Sequence, residues 1–177
     1  MQAWDPLTMN CLGTLGAHSN WVFALASTDD YLFSGSSDSS IRVWNPDTFQ
    51  LIGTLAGHRD QVRALVATDT ELYSGSYDST VRVWDAKQLR CIRIIDVHNE
   101  VFGLGLAGDY LLSGDENGTI VVWDRFTYQR VHTLADHTGS VYSFAMVGNK
   151  LLSASSDMTV IVRSLPLSSS NSYMHSR

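Results

Sequence analysis

The chain has 177 residues, 44% hydrophobic and 17% charged, with 12 basic against 18 acidic side chains and a formal net charge of −6. That is the balance of a globular chain long enough for one domain with its own core, and it disfavours holding nucleic acid or anionic lipid by bulk charge. No run reaches the roughly 18 apolar residues of a membrane helix, and the N-terminus lacks the basic-then-apolar order of a secretory signal.

The first elements in the chain are short. Residues 1–10 read as the end of a strand closing on Trp4-Asp5, and "NCLGTL" follows as a further strand. Next come "WVFALAS", "YLFSGSS", "SIRVWN" and "QLIGTLA", runs rich in β-branched or aromatic residues and cut by Ser, Asp and Gly turns. Strict alternation puts Val22, Ala24 and Ala26 on one face of the first run and Trp21, Phe23 and Leu25 on the other, so both faces are apolar. Such strands must lie between neighbouring sheets.

The pattern then repeats. His18, His58, His98 and His137 are 40, 40 and 39 residues apart, and Asp38, Asp78, Asn117 and Asp157 follow in steps of 40, 39 and 40. Trp44, Trp84 and Trp123 keep the same register, and one step back from Trp44 is Trp4. Units at about 11–50, 51–90, 91–129 and 130–167, each of about four short strands, describe an all-β β-propeller of about four blades within 1–167, preceded by the end of another blade at 1–10. The polar stretch 168–177 is expected to be a disordered tail. The chain opens in mid-blade and its last unit stops after a third strand. The reading favoured is a segment of a larger propeller; the alternatives are a homodimer closing one eight-bladed ring and a closed four-bladed monomer. Cys11 and Cys91 are too few and too distant for a disulfide scaffold. They are expected to be reduced and mostly buried, which fits the cytoplasm, with the nucleus as the alternative.

Gly57-His58, the turn residue Asp78 and the closing Trp84-Asp85 resemble the signature of the WD-repeat (WD40) propeller family, in register over roughly residues 1–165. The terse turns in "ASTDDYLFSG", "VATDTELYSG" and "LAGDYLLSG" are similar to those of propeller tails in RING-type and F-box ubiquitin ligases and myosin heavy-chain kinases. The family resemblance implies a buried hydrogen-bonded tetrad in each blade. Its members are His18, Ser34, Asp38 and Trp44; His58, Ser74, Asp78 and Trp84; and His98, Ser113, Asn117 and Trp123. A fourth set, His137, Ser153 and Asp157, has Arg163 where tryptophan belongs, and that blade is expected to be the least stable. In the third unit Gly103 and Gly105 interrupt a first strand, which marks a bulge or a close approach.

Serine, histidine and aspartate can also build a hydrolase. A nucleophile needs one exposed hydroxyl and an oxyanion hole, whereas this set recurs in every unit and lacks the Gly-x-Ser-x-Gly elbow. Histidines on successive blades fan around an axis and cannot converge on a metal ion, and His132 and His175 stand outside the register without paired ligands. No cofactor is implied, and the chain reads as a non-enzyme.

The resemblance places the partner-binding rim at the turn before each first strand. The residues there are Trp21 and Phe23, Gln61 and Arg63, Glu100 and Phe102, and Ser140 and Tyr142, with Ser37, Tyr77, Glu116 and Ser156 beside them. Trp21, Phe23, Arg63, Tyr77, Phe102 and Tyr142 are the residue types that dominate protein interfaces. Phe23 and Phe102 fit the space between blades equally well. The expected function is a protein–protein interaction scaffold that holds a protein or peptide, with substrate recognition in a ubiquitin ligase or kinase assembly as its narrower form. The expected partner segment is apolar and acidic or phosphorylated, with Arg63 supplying the opposite charge. A channel-centred enzyme and a nucleic-acid-binding propeller are the disfavoured alternatives.

Overall fold

The structure, a computed structural model, describes residues 1–16 and 18–164. The stretch 168–177, expected to be a tail, and His175 lie outside the described residues. Strands β1 (Gln2–Trp4) and β2 (Cys11–Thr14) pair antiparallel as a sheet of two. The first full sheet is β3 (Val22–Ser27), β4 (Leu32–Ser36), β5 (Ile41–Trp44) and β6 (Leu51–Leu55). The second is β7 (Val62–Ala67), β8 (Glu71–Ser76), β9 (Thr80–Asp85) and β10 (Arg90–Asp96). The third is β11 (Val101–Ala107), β12 (Tyr110–Asp115), β13 (Ile120–Asp124) and β14 (Arg130–Leu134). The fourth has three strands, β15 (Val141–Val147), β16 (Lys150–Ser155) and β17 (Val160–Ser164). Each sheet is an antiparallel meander in chain order. This is the expected all-β propeller arrangement, a blade per sheet.

The core lies between sheets rather than within them. Phe33, Ile41 and Val43 of the first blade pack on Val62, Leu65 and Leu72 of the second. Tyr73, Val81 and Val83 of the second pack on Val101, Leu104 and Leu111 of the third. Leu112 and Val122 of the third meet Leu151, with Phe144 and Met146 against them. Because the second and third sheets are covered on both sides by neighbours, their strands can be apolar on both faces.

One detail departs from strict alternation. A bulge between Val22 and Ala24 breaks the pairing with β4, and the same break recurs at Val62/Ala64, Val101/Gly103 and Val141/Ser143. The extra residue reverses the alternation downstream. Val62 and Leu65 therefore pack toward the preceding blade, while Ala64 joins the cluster with the next. By the same register Val22 shares a face with Leu25, and Ala24 with Ala26, not the sets that alternation alone implies. The glycines of β11 mark a close approach: a Cβ on Gly103 would lie 2.7 Å from the Tyr142 carbonyl oxygen, and one on Gly105 2.7 Å from Phe144 Cβ.

Cys11 and Cys91 are both free and exposed, not buried as expected. They sit at matched places on β2 and β10, and each of those strands pairs with a neighbour along one edge alone, at the end of its sheet. A polar cluster ties the second blade to the third. Glu71 accepts from the Tyr73 hydroxyl and, at 2.8 Å, from that of Tyr128, while Arg125 Nε donates to the Tyr73 oxygen at 3.3 Å. Burial and the Glu71 carboxylate push the Tyr128 phenol up to about 12.

Candidate partner-binding rim

The hydrogen bonds of the first, second and fourth blades set the frame of the rim. In the second blade His58 Nδ1 donates to Asp78 Oδ2 at 2.8 Å and the Ser74 hydroxyl donates to His58 Nε2 at 2.7 Å. Trp84 Nε1 donates to Ser74 Oγ at 2.8 Å. Asp78 also accepts from Arg59 N at 3.0 Å, Thr80 N at 3.0 Å and Thr80 Oγ1 at 2.6 Å. The carboxylate fixes the imidazole tautomer, and the hydroxyl accepts from indole while donating to imidazole, so every polar atom of the chain is used. His18, Ser34, Asp38 and Trp44 repeat this arrangement, with contacts of 2.9, 2.8 and 2.9 Å. His137, Ser153 and Asp157 repeat it without a tryptophan. Arg163, which takes the tryptophan's place, forms an ion pair with Asp136 instead.

Burial alone would raise the Asp78 carboxyl; the His58, Thr80 and Arg59 bonds outweigh it and hold it well below the usual range. Asp38 follows the same pattern through Ser40, His18 and Ser19. At Asp157 the Thr159 hydroxyl bond is the largest influence, and the shift is again downward. The serine hydroxyls of these networks, on Ser34, Ser74 and Ser153, are locked between imidazole and indole or buried beside imidazole, and none of them stands exposed as a nucleophile would.

The third blade departs from the expectation. His98 and Asn117 are not tetrad members. His98 adopts φ 70° and its side chain is 83% exposed, turned outward beside Asp96. Asn117 is exposed, and among the described residues its side chain has no hydrogen-bond partner; only its backbone N–H bonds, to Asp115. The chain is one residue short here: histidine precedes serine by 16 positions in the other three blades, and 16 before Ser113 is Val97. Val97 is buried with Trp123 in an apolar cluster. Trp123 Nε1 still donates to Ser113 Oγ at 2.8 Å. Asp115, 2% exposed, organises the turn by accepting from Asn99 Nδ2 at 2.7 Å, Asn117 N at 2.9 Å and Thr119 N at 2.8 Å. Sequence reasoning missed Asp115, although it replaces the serine found at Ser36, Ser76 and Ser155.

The rim residues converge. Backbone bonds from Ser37, Tyr77, Glu116 and Ser156 N to the carbonyls of Trp21, Gln61, Glu100 and Ser140 hold each blade's turn beside the start of its first strand. Trp21 is 75% exposed and meets Phe23 edge to face at 6.1 Å between centroids. Arg63 Cζ lies 3.9 Å from the Phe23 centroid, 5.1 Å from Tyr77 and 5.5 Å from Phe102. Tyr77 contacts Phe102 at 4.7 Å, and Phe102 contacts Tyr142 at 5.4 Å. One band of five rings around a guanidinium thus crosses all four blades. Phe23, Arg63, Tyr77, Glu100 and Phe102 are half-buried, whereas Trp21, Glu116 and Tyr142 are exposed. Phe23 and Phe102 therefore belong to the band and not to the fully buried core.

The charge around this band runs against the expected acidic partner. Glu100 is raised by partial burial and then by the neighbouring Glu116 and Asp60 carboxylates, with Arg63 opposing. Burial likewise raises the Tyr77 phenol, opposed by Arg63 and reinforced by Glu100, Tyr142 and Asp60. Asp60 and Glu116 thus lie on the same rim as Glu100, within electrostatic reach of its carboxylate, while the Arg63 guanidinium is stacked among rings.

The fold and its repeated hydrogen-bonded tetrads define the blades of a β-propeller. The chain belongs to the WD40 family (WD domain, G-beta repeat), whose model matches residues 9–45, 49–85, 89–124 and 128–164. WD40 repeats imply a protein-interaction scaffold role, and the family is in general non-enzymatic. The chain is similar to the computationally designed Ika4 protein, at 31% identity and TM-score 0.77, over 86% of this chain and 96% of that one. It is also similar to the computationally designed Ika8 protein, at 29% identity and TM-score 0.78, over 93% of this chain and 52% of that one. U3-55K shares the fold at 24% identity and TM-score 0.83, over 91% of this chain and 53% of that one. The chain thus spans about half the length of Ika8 and of U3-55K. No curated protein sequence matches it.

Proposed function

We propose that this chain is a scaffold whose aromatic rim binds a segment of another protein that presents apolar side chains together with lysine or arginine. The observation that carries this reading is the band from Trp21 to Tyr142, stacked around Arg63 and flanked by Asp60, Glu100 and Glu116. Large, partly ordered rings lose little entropy on contact, and the carboxylates disfavour an acidic or phosphorylated segment. The partner is a protein or peptide, not nucleic acid or membrane, and the setting is the cytoplasm or nucleus. The units 11–50, 51–90, 91–129 and 130–167 act together as one platform. Substrate recognition in a ubiquitin ligase or kinase assembly is the narrower form, supported by the short turns alone. Affinity purification with mass spectrometry, comparing the wild type with a Trp21→Ala/Glu100→Gln variant, tests the reading. Partners lost from the variant and rich in basic, apolar segments are the expected result; an unchanged set of partners overturns it.

A further inference from the structure

Inside the chain one interface is used three times: a valine and a large apolar residue of one blade's first strand press into the second and third strands of the blade before. Val62, Val101 and Val141 are all 0% exposed in these seats. Both halves of the same interface stand open at the ends of the described arc. On the leading side Val22 is 38% and Leu25 53% exposed, where Leu65 and Leu104 are each 7%. On the trailing side Val160 and Val162 are 61% and 57% exposed, where Val81 and Val83 are 0%. Ser143, Ala145, Leu152, Ala154 and Val160 line an open depression of about 170 Å³ there. Among the described residues the trailing sheet also ends at β17, while β2, which holds the place of an outermost strand, is paired with the three-residue β1 alone.

We propose that two copies of this chain complete each other. β2 of one copy adds to the free edge of β17 in the other, and Val22 and Leu25 of the first seat on the depression of the second. Each copy then contributes four blades to a closed ring of eight, within the known range of propellers. The internal register specifies the joint. Trp44 stands opposite Leu51 and Val43 opposite Gly53, so Arg163 would face Cys11 and Val162 would face Gly13 of the other copy. β1 gives way because it is short, whereas β17 is paired with β16 from Lys150↔Ser164 to Ala154↔Val160. A second copy is favoured over closure on the chain's own β2 because within one chain β2 pairs with β1 and not with β17, and both end faces stand exposed instead of meeting each other. The joint is less snug than the internal ones: Ala154 stands where Gly35, Gly75 and Gly114 admit the next valine, a Cβ on Gly75 lying 2.5 Å from Val101 Cγ1. The contact is heterologous, so closure after two copies is what separates a ring from a growing filament.

The test uses the 177-residue chain. Light scattering of the wild type is expected to give twice the 19.6 kDa chain mass, and Leu25→Asp, which changes an exposed residue, is expected to give a folded monomer. In a Cys91→Ser/Arg163→Cys variant, mild oxidation is expected to link Cys11 to the new thiol between chains, since opposed antiparallel residues lie within disulfide reach. A dimer band on a non-reducing gel supports the proposal. A monomer with both thiols consumed means the chain closes on its own β2, and a ladder means open growth; either overturns it. A wild-type monomer also overturns it, including one whose residues 165–177 cover the face, and that measurement holds even if the cysteine variant fails to fold.

Discussion

Asp78→Ala tests the account of the tetrad most directly. Asp78 accepts four hydrogen bonds, and its side chain is 6% exposed beside a His58 ring that is 1% exposed. On truncation the Arg59 amide can turn to water and the Thr80 hydroxyl can rotate to another acceptor. His58 Nδ1–H and Thr80 N–H are left without partners, and each orphaned buried donor costs about 1–3 kcal/mol. The expected loss is about 3 kcal/mol, which for a chain of this size lowers Tm by roughly 6–12 °C. Asn117→Ala changes the residue at the same place in the third blade, where the side chain is exposed and unbonded, and should stay within about 0.5 kcal/mol. Asp115→Ala, by contrast, should match Asp78→Ala, because Asp115 holds three donors in that turn. Urea and thermal denaturation followed by circular dichroism measure all three variants. An Asn117→Ala loss as large as that of Asp78→Ala, or an unchanged Asp78→Ala midpoint, would refute the reasoning.

Three further outcomes are expected. Asp38, Asp78 and Asp157 have folded pKa values below their unfolded ones, so the stability they supply is complete above about pH 5 and is lost as pH falls from there. Urea midpoints should be flat from pH 7 to 5 and decline toward pH 3, with a shallower decline in Asp78→Asn. The Tyr128 phenol is raised to about 12, so it stabilises the fold below the usual phenol value near 10, and that contribution is lost as pH rises toward 12. Ultraviolet titration should show Tyr128 ionising late, and Glu71→Gln should bring it earlier. Gly75→Ala places a methyl against Val101 and should cost about 1–3 kcal/mol by denaturation, with the second and third blades loosening together.

The repeat made much of the fold legible. Steps of 40 and 39 residues give the blade count, and the in-register serine, histidine and aspartate foretell which groups stand together. The third blade was legible too, but only by the distance from histidine to serine and not by the histidines themselves: 16 residues in three blades, 15 from His98. The bulge at the start of each first strand was not visible, because one inserted residue leaves the composition unchanged while exchanging the faces of all that follow. The charge of the rim was missed for a different reason. Asp60, Glu100 and Glu116 come from separate turns, and only the packing of successive blades brings Asp60 and Glu116 within reach of Glu100. Cys11 and Cys91 were misjudged because hydrophobic scale favours burial, whereas their strands form sheet edges.

The serial packing of the blades has a mechanical consequence. Each described sheet packs chiefly on the ones before and after it, so a single chain behaves as a row of coupled springs and not as one block. Amide exchange should therefore form a gradient along the row. It should be slowest in Glu71–Ser76, which is flanked on both sides and anchored by Trp84. In the single chain, as in the Leu25→Asp variant, it should be fastest in Val160–Ser164, where an arginine stands in place of the anchoring indole. A partner that spans the rim from Trp21 to Tyr142 would clamp all four springs at once, and protection should then rise most at the end that was loosest.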